Sequence, residues 1–191
     1  FEGDGYSEEW AQEAEKRGLS NLKSTADALD VLISKQVTDL YKKHGVLNER
    51  ELHARHEIRL ENYIMKVQIE SRVMGDLALN HIIPTAILYQ NKLIANANGL
   101  KGLGLDHSAA LDTIEEISKH LESLKSNVGE MVEARKRVNK EEDISKKAKL
   151  YSVEVKDAYF DVIRYAVDKL ELLVDDESWP LVKYREMLFL K

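Results

Sequence analysis

The polypeptide has no cysteine, which excludes a disulfide framework, a thiolate metal site and a thiol nucleophile. Proline is nearly absent too, with two residues beside nine glycines in 191 positions. Because both residues break helices and punctuate loops, their scarcity favours long helices over strands and turns. Aromatic side chains contribute only 7%, and Val, Ile and Thr form no alternating run bounded by turn residues. No apolar stretch approaches the ~20 residues that cross a bilayer, and the start lacks the charged, apolar and small segments of a signal peptide. Basic charge is also short: the formal net charge is −6, so a phosphate-rich partner is repelled unless one face is locally basic. These absences lead us to expect an all-α, soluble, cytoplasmic protein with neither a nucleic-acid nor a membrane partner.

With 43% hydrophobic residues, what remains can fill the core of one globular domain, alone or with a small appendage. The chain opens on FEGDGYSEEW without an initiator methionine. A piece of a longer polypeptide is therefore expected, with a function that belongs to the whole.

Start and stop signals divide the chain into helices. Ser7 can cap SEEWAQEAEKRG, which ends on a basic turn and Gly18. Ser24 or Thr25, with Asp27 as the capping-box acid, begins a second helix running to about Lys43 before Gly45. Its apolar side is Leu29, Leu32, Ile33, Val37 and Leu40. Asn48 and Glu51 open the longest segment, from about Glu49 to Ala97. There Leu60, Ile64, Val67, Ser71, Met74, Ala78, His81, Thr85 and Leu88 step by four and three, which keeps one seam against a partner helix. A second stripe, Val73, Leu77, Ile83 and Ile87, predicts that the later half is the buried one.

After NGLKGLGLDHS, where Asp106 or Ser108 can cap, Ile114, Ile117, Leu121, Leu124, Val128, Met131 and Val138 form a seam in which only Arg135 intrudes. The turn NKEED leads to Ile144, Ala148, Tyr151, Val155, Ala158, Val162 and Tyr165. Two seams joined by a short loop predict an antiparallel helical hairpin. Ser178 and Pro180 mark a last helix start in SWPLVKYREMLFLK.

Few residues suggest chemistry. No histidine has a glutamate three positions before it, which argues against a di-iron carboxylate bundle. In ELHARHEIRLE, His53 and His56 could both reach a zinc ion, but Arg50, Arg55 and Arg59 oppose a divalent cation, and a solvated face accounts better for the segment. Gly102 and Gly104 follow a helix rather than a strand, so they stop a helix and cradle no phosphate. RKRVNKEEDISKKAK gathers Arg135, Lys136, Arg137, Lys140, Lys146, Lys147 and Lys149 near the hairpin tip, where an anionic partner could be met. Its acids and its lack of interleaved aromatics favour a solvated turn. DDESWP lacks the spacing of a calcium loop and reads as helix capping. Asn80, His81 and Pro84 in DLALNHIIPTAILYQNKL read as a helix joint, because proline removes a donor and crowds the Asn80 carbonyl. Asn80, His81 and Thr85 could then satisfy the freed carbonyl or one another. Ser71, Gly75 and Ala78 make a narrow strip for close packing.

Three stretches, FEGDGYSEEWAQEAEKRGLSN, KVQIESRVMGDLALNHIIPTAILYQN and YFDVIRYAVDKLELLVDDESWPLVKYREMLF, together resemble the carboxyl-terminal part of type III glutamine synthetases, the large bacterial form. The resemblance runs the length of the chain and is weaker from Leu105 to Lys149, while ELHARHEI has more histidines than the family pattern. It implies a parent enzyme that joins ammonia to glutamate with ATP and a divalent metal, magnesium or manganese, through a γ-glutamyl phosphate, in stacked hexameric rings. It also places the nucleotide, metal and glutamate residues in a preceding catalytic module, so no catalytic, cofactor-binding or metal residue carries over.

The expected architecture is a bundle of long antiparallel helices with short helices at both ends. Residues 1–48 would be the tail of the upstream catalytic module and residues 49–191 the helical bundle. The expected role is structural, in packing and assembly of a homo-oligomer. Trp10, Trp179, Tyr184, Met187 and Phe189 are the candidate interface, since aromatic and Met side chains are enriched in interface cores. The alternatives are a free-standing helical adaptor and a small metal enzyme built on His53 and His56.

Overall fold

The computed structural model describes residues 3–189; Phe1, at the expected cut, and the last two positions of the expected end helix lie outside them. Among the described residues every regular element is helical. The first, α1 (Glu8–Lys16), is capped by the Ser7 side chain, which accepts the Trp10 N–H. It ends where Gly18 takes φ +73° and Leu19 returns its N–H to the Ala14 carbonyl, a left-handed stop that glycine reaches without a Cβ penalty.

The expected helix from Ser24 to Lys43 is interrupted. It divides into α2 (Thr25–Asp30), a 3-10 turn (Val31–Ile33) and α3 (Lys35–Lys43). The cause is Ser34, which is extended at ψ 148° and uses its hydroxyl to accept the Val37 N–H, thereby starting a new helix. The break turns Leu40 outward.

From Glu49 to Gly102 the helix is continuous, through α4 (Glu49–Leu77), one π turn (Ala78–Ile82) and α5 (Ile83–Gly102). Asn48 and Glu51 form the reciprocal capping box expected of them. At the far end Gly104 adopts φ +71° and closes the helix. After a short loop α6 (Ser108–Val138) runs back. The polar turn then leads to α7 (Ile144–Leu150), a second π turn (Tyr151–Asp157) and α8 (Ala158–Leu173). In this three-rod bundle α6 packs along α5 and α8, as an antiparallel hairpin requires, while α4 packs on α7. The short α2 and the 3-10 turn lie on α4 and place Ala26 in the core.

The seams hold up to the π turns and then slip by one residue. Leu60, Ile64, Val67, Ser71 and Ala78 are buried as their spacing predicts, with Gly75 inward in place of the half-buried Met74, but beyond the first π turn Ile82 and Ala86 take the inner positions while His81 and Leu88 face outward. On the hairpin, Ala148, Tyr151 and Val155 are buried, whereas Ile163 and Ala166 replace Val162 and Tyr165. A π turn inserts one residue into the α-helical repeat and rotates everything after it by about one residue's angle. Val73 and Ile87 stand half in water, so the later half of the first rod is not apolar and buried on most sides.

The end of the chain departs as well. Ser178 and Pro180 start no helix: the Asp175 carboxylate accepts both the backbone N–H and the hydroxyl of Ser178, each at 2.8 Å, and holds the segment in a turn. The only helix among the described residues of that segment is α9 (Tyr184–Met187).

Candidate functional site

The helix joint is built by the first π turn. Pro84 lies at the start of α5, and the Ile83 N–H reaches back to the Ala78 carbonyl, the wider closure that a π turn makes. Asn80 and His81 are exposed, and the Asn80 amide donates to the Asp76 carboxylate instead of to a freed carbonyl. One turn upstream Ser71, Gly75 and Ala78 do form a close-packed strip; a Cβ on Gly75 would stand 3.5 Å from Val128 Cγ1 of α6.

The two histidines weighed as zinc ligands part company. His53 is exposed, while His56 is 3% exposed on the inner side of α4, between Leu52 and Leu60. Its Nε2 shares a hydrogen bond of 3.0 Å with Asp30 Oδ1, and Lys149 Nζ reaches the other oxygen of Asp30 at 2.7 Å. Burial would raise the Asp30 pKa, but the hydrogen bonds and charge of Lys149 and His56 outweigh it and hold the carboxyl below its ordinary value. This cluster ties the end of α2 to α4 and α7. The sequence reading missed it, although the step of four from Leu52 through His56 to Leu60 marked His56 as inward.

At the C-terminal end the acids of DDESWP are occupied. Asp175 holds Ser178 and pairs with Lys92 of α5 at 3.7 Å, and Asp176 pairs with Lys183 at 2.7 Å and with Arg185. Lys183, only 8% exposed, donates to the carbonyls of Glu171 and Val174 at 2.8 and 2.9 Å. It thus satisfies the last turn of α8, which glycine does elsewhere in the chain. Trp179 is buried behind this cap, with the Lys183 ammonium 6.0 Å from the ring. Its indole Nε1 has no hydrogen-bond partner among the described residues. Of the candidate interface, Tyr184, Met187 and Phe189 stand out, at 65%, 64% and 74% exposed. Trp10 is half-buried on α1, with the Arg17 guanidinium 6.0 Å from its ring.

Among the described residues no three His, Cys, Asp or Glu side chains gather to hold a metal ion. Among the described residues the ion pairs run along single helices or join neighbouring segments, as Lys92 does with Asp175, Arg137 with Glu154 and Lys149 with Asp27 and Asp30. They do not fit a centre for a nucleotide and divalent metal. Nor is any helix among the described residues long and apolar enough to cross a membrane.

Comparison with known proteins gives these features a context. Residues 1–101 match the family model described as glutamine synthetase C-terminal domain. The chain is 45% identical over 197 residues to a glutamine synthetase of Bacteroides fragilis (strain YCH46), covering 100% of this chain and 27% of that protein. It is 30% identical over 191 residues to a glutamine synthetase of Butyrivibrio fibrisolvens, covering 99% of this chain and again 27% of the relative. A type-3 glutamine synthetase of Dictyostelium discoideum is 30% identical over 200 residues, with 100% and 27% covered. The chain thus spans about a quarter of the length of the curated relatives that it matches.

Proposed function

Because the chain belongs to the glutamine synthetase C-terminal domain family, we propose that it is the helical C-terminal part of an enzyme that makes glutamine from glutamate, ammonia and ATP, and that it packs and assembles that enzyme without supplying catalytic groups. The ATP and the magnesium or manganese ions would be held by the upstream catalytic module, in the cytoplasm. Residues 1–48 would belong structurally to that module, and residues 49–191 would form the bundle appended to it.

The observation that carries this reading is the apolar surface left uncovered at the two ends. Leu19, Leu22, Val31, Leu40 and Val46 are all substantially exposed in the N-terminal helices and the segments that join them, as are Leu172, Val182, Tyr184, Met187 and Phe189 near the C-terminus. We read these side chains as parts of apolar patches, which favour a protein contact over free solvent, and a larger polypeptide would cover both ends. The upstream module is the partner assigned to the first, and another subunit of a homo-oligomer to the second.

The test is a steady-state assay of the chain alone with glutamate, ammonia, ATP and magnesium. No glutamine is expected; turnover would overturn the non-catalytic role.

A further inference from the structure

Arg135 is half-buried where α6 meets α4, and it has no carboxylate partner among the described residues. Its one hydrogen bond among the described residues is a long one, 3.4 Å to Ser71 Oγ. Arg72, exposed on α4 beside it, makes no ion pair among the described residues. The contrast with the two buried basic side chains among the described residues is plain: His56 has Asp30 at 3.0 Å and Lys183 has Asp176 at 2.7 Å.

The neighbouring neutral groups offer these guanidinium groups little. The Ser71 hydroxyl donates to the Gln68 carbonyl at 2.9 Å, and Asn139 Oδ1 already accepts from both Gln68 Nε2 at 2.7 Å and the Tyr151 hydroxyl at 2.6 Å. Burial and the charge of Arg72 both push the Arg135 pKa down, yet a guanidinium does not give up its proton in a protein. Two like charges at a partly dehydrated place repel each other, and a bound anion relieves that repulsion.

We propose that Arg72 and Arg135 form a binding site for a phosphate dianion, free or as the terminal group of a small phosphate monoester. Two fixed cations match two negative charges, and the forked N–H groups of arginine meet phosphate oxygens in pairs. The site lies near the Asn139 end of α6, where the chain is locally basic although its net charge is −6.

The experiment titrates the full chain with inorganic phosphate, methyl phosphate and malonate by calorimetry at constant ionic strength. Saturable one-to-one binding of phosphate is expected. Arg72→Gln or Arg135→Gln should weaken it by about tenfold or more, the loss of a hydrogen bond between charged groups. A Lys136→Gln, Arg137→Gln control on the same basic stretch should leave it unchanged. Tighter binding of methyl phosphate identifies a monoester as the source, and tighter binding of phosphate identifies the free ion. Non-saturable heat, malonate bound as tightly as phosphate, or equal loss in the control would overturn the site. Because Arg135 packs between helices, thermal melting supplies the second readout. Phosphate should raise the midpoint of the parent chain and not that of Arg72→Gln, whose exposed position carries no folding role; an equal rise in both would also overturn the proposal.

Discussion

At the scale of single residues, several buried polar groups are paired across segments, as His56 is with Asp30 and Lys183 with the last turn of α8. Asp30 shows the consequence most directly, because its carboxyl is held below its ordinary value by Lys149 and His56 against the opposing effect of burial. A depressed carboxylate contributes stability that is whole above the unfolded value, about pH 4, and is lost as pH falls through the lower folded value. Asp30→Asn should therefore destabilise the chain at neutral pH by about 1 kcal/mol, a modest figure because Asp30 is 33% exposed. It should also flatten the acid limb of the stability profile. Denaturant melts between pH 3 and pH 7 would check both; unchanged pH dependence would remove Asp30 from the account. The capping residues were legible because their bonds are local: Ser7, Ser24 and Asn48 each accept an N–H three positions on. Lys183 and His56 were not, since their partners are fixed only by the way helices cross.

At the scale of elements, the helix pattern was readable until the backbone itself changed pitch. Every buried seam position up to Ala78 follows from four-and-three spacing, and so does the run from Ile117 to Val138 except that Ala134, not Arg135, fills the inner place. Neither π turn carries a residue signature of its own, so the register beyond each could not be read from periodicity. Pro84 signalled a joint near the first; nothing comparable marks Tyr151–Asp157. Ser34 was hidden by an apolar pattern that ran straight through it. One feature of α6 can be altered without touching packing: Gly129 is exposed in mid-helix, and a Cβ there meets nothing within 4 Å. Gly129→Ala should stabilise the chain by about 1 kcal/mol, read as a higher denaturant midpoint with the slope unchanged. No gain would show that the helix is not intact at that point in solution.

At the scale of the whole molecule, fold class and family were legible because long words of sequence survive where single motifs do not. The family model ends at residue 101, just before the hairpin whose resemblance was the weaker part. The candidate interface divides by burial: Trp179 serves the interior, while Tyr184, Met187 and Phe189 remain available to a neighbour. Under the proposed assembly role, replacing those three by serine in the proposed full-length enzyme should lower its oligomeric order, measured by light scattering, with little change in the thermal midpoint of the isolated chain. An unchanged assembly would move the contact elsewhere. A lowered midpoint would mean that these side chains stabilise the bundle itself.

The two π turns also bear on how such chains are compared. Each is an extra tooth in a gear: a relative lacking one position between Ala78 and Ile82 could keep the same inward-facing side chains only by pairing its downstream letters one place out of step. A gap in that window marks a change of phase, and an alignment forced to run through it without one would set core letters against solvent letters for the rest of the rod.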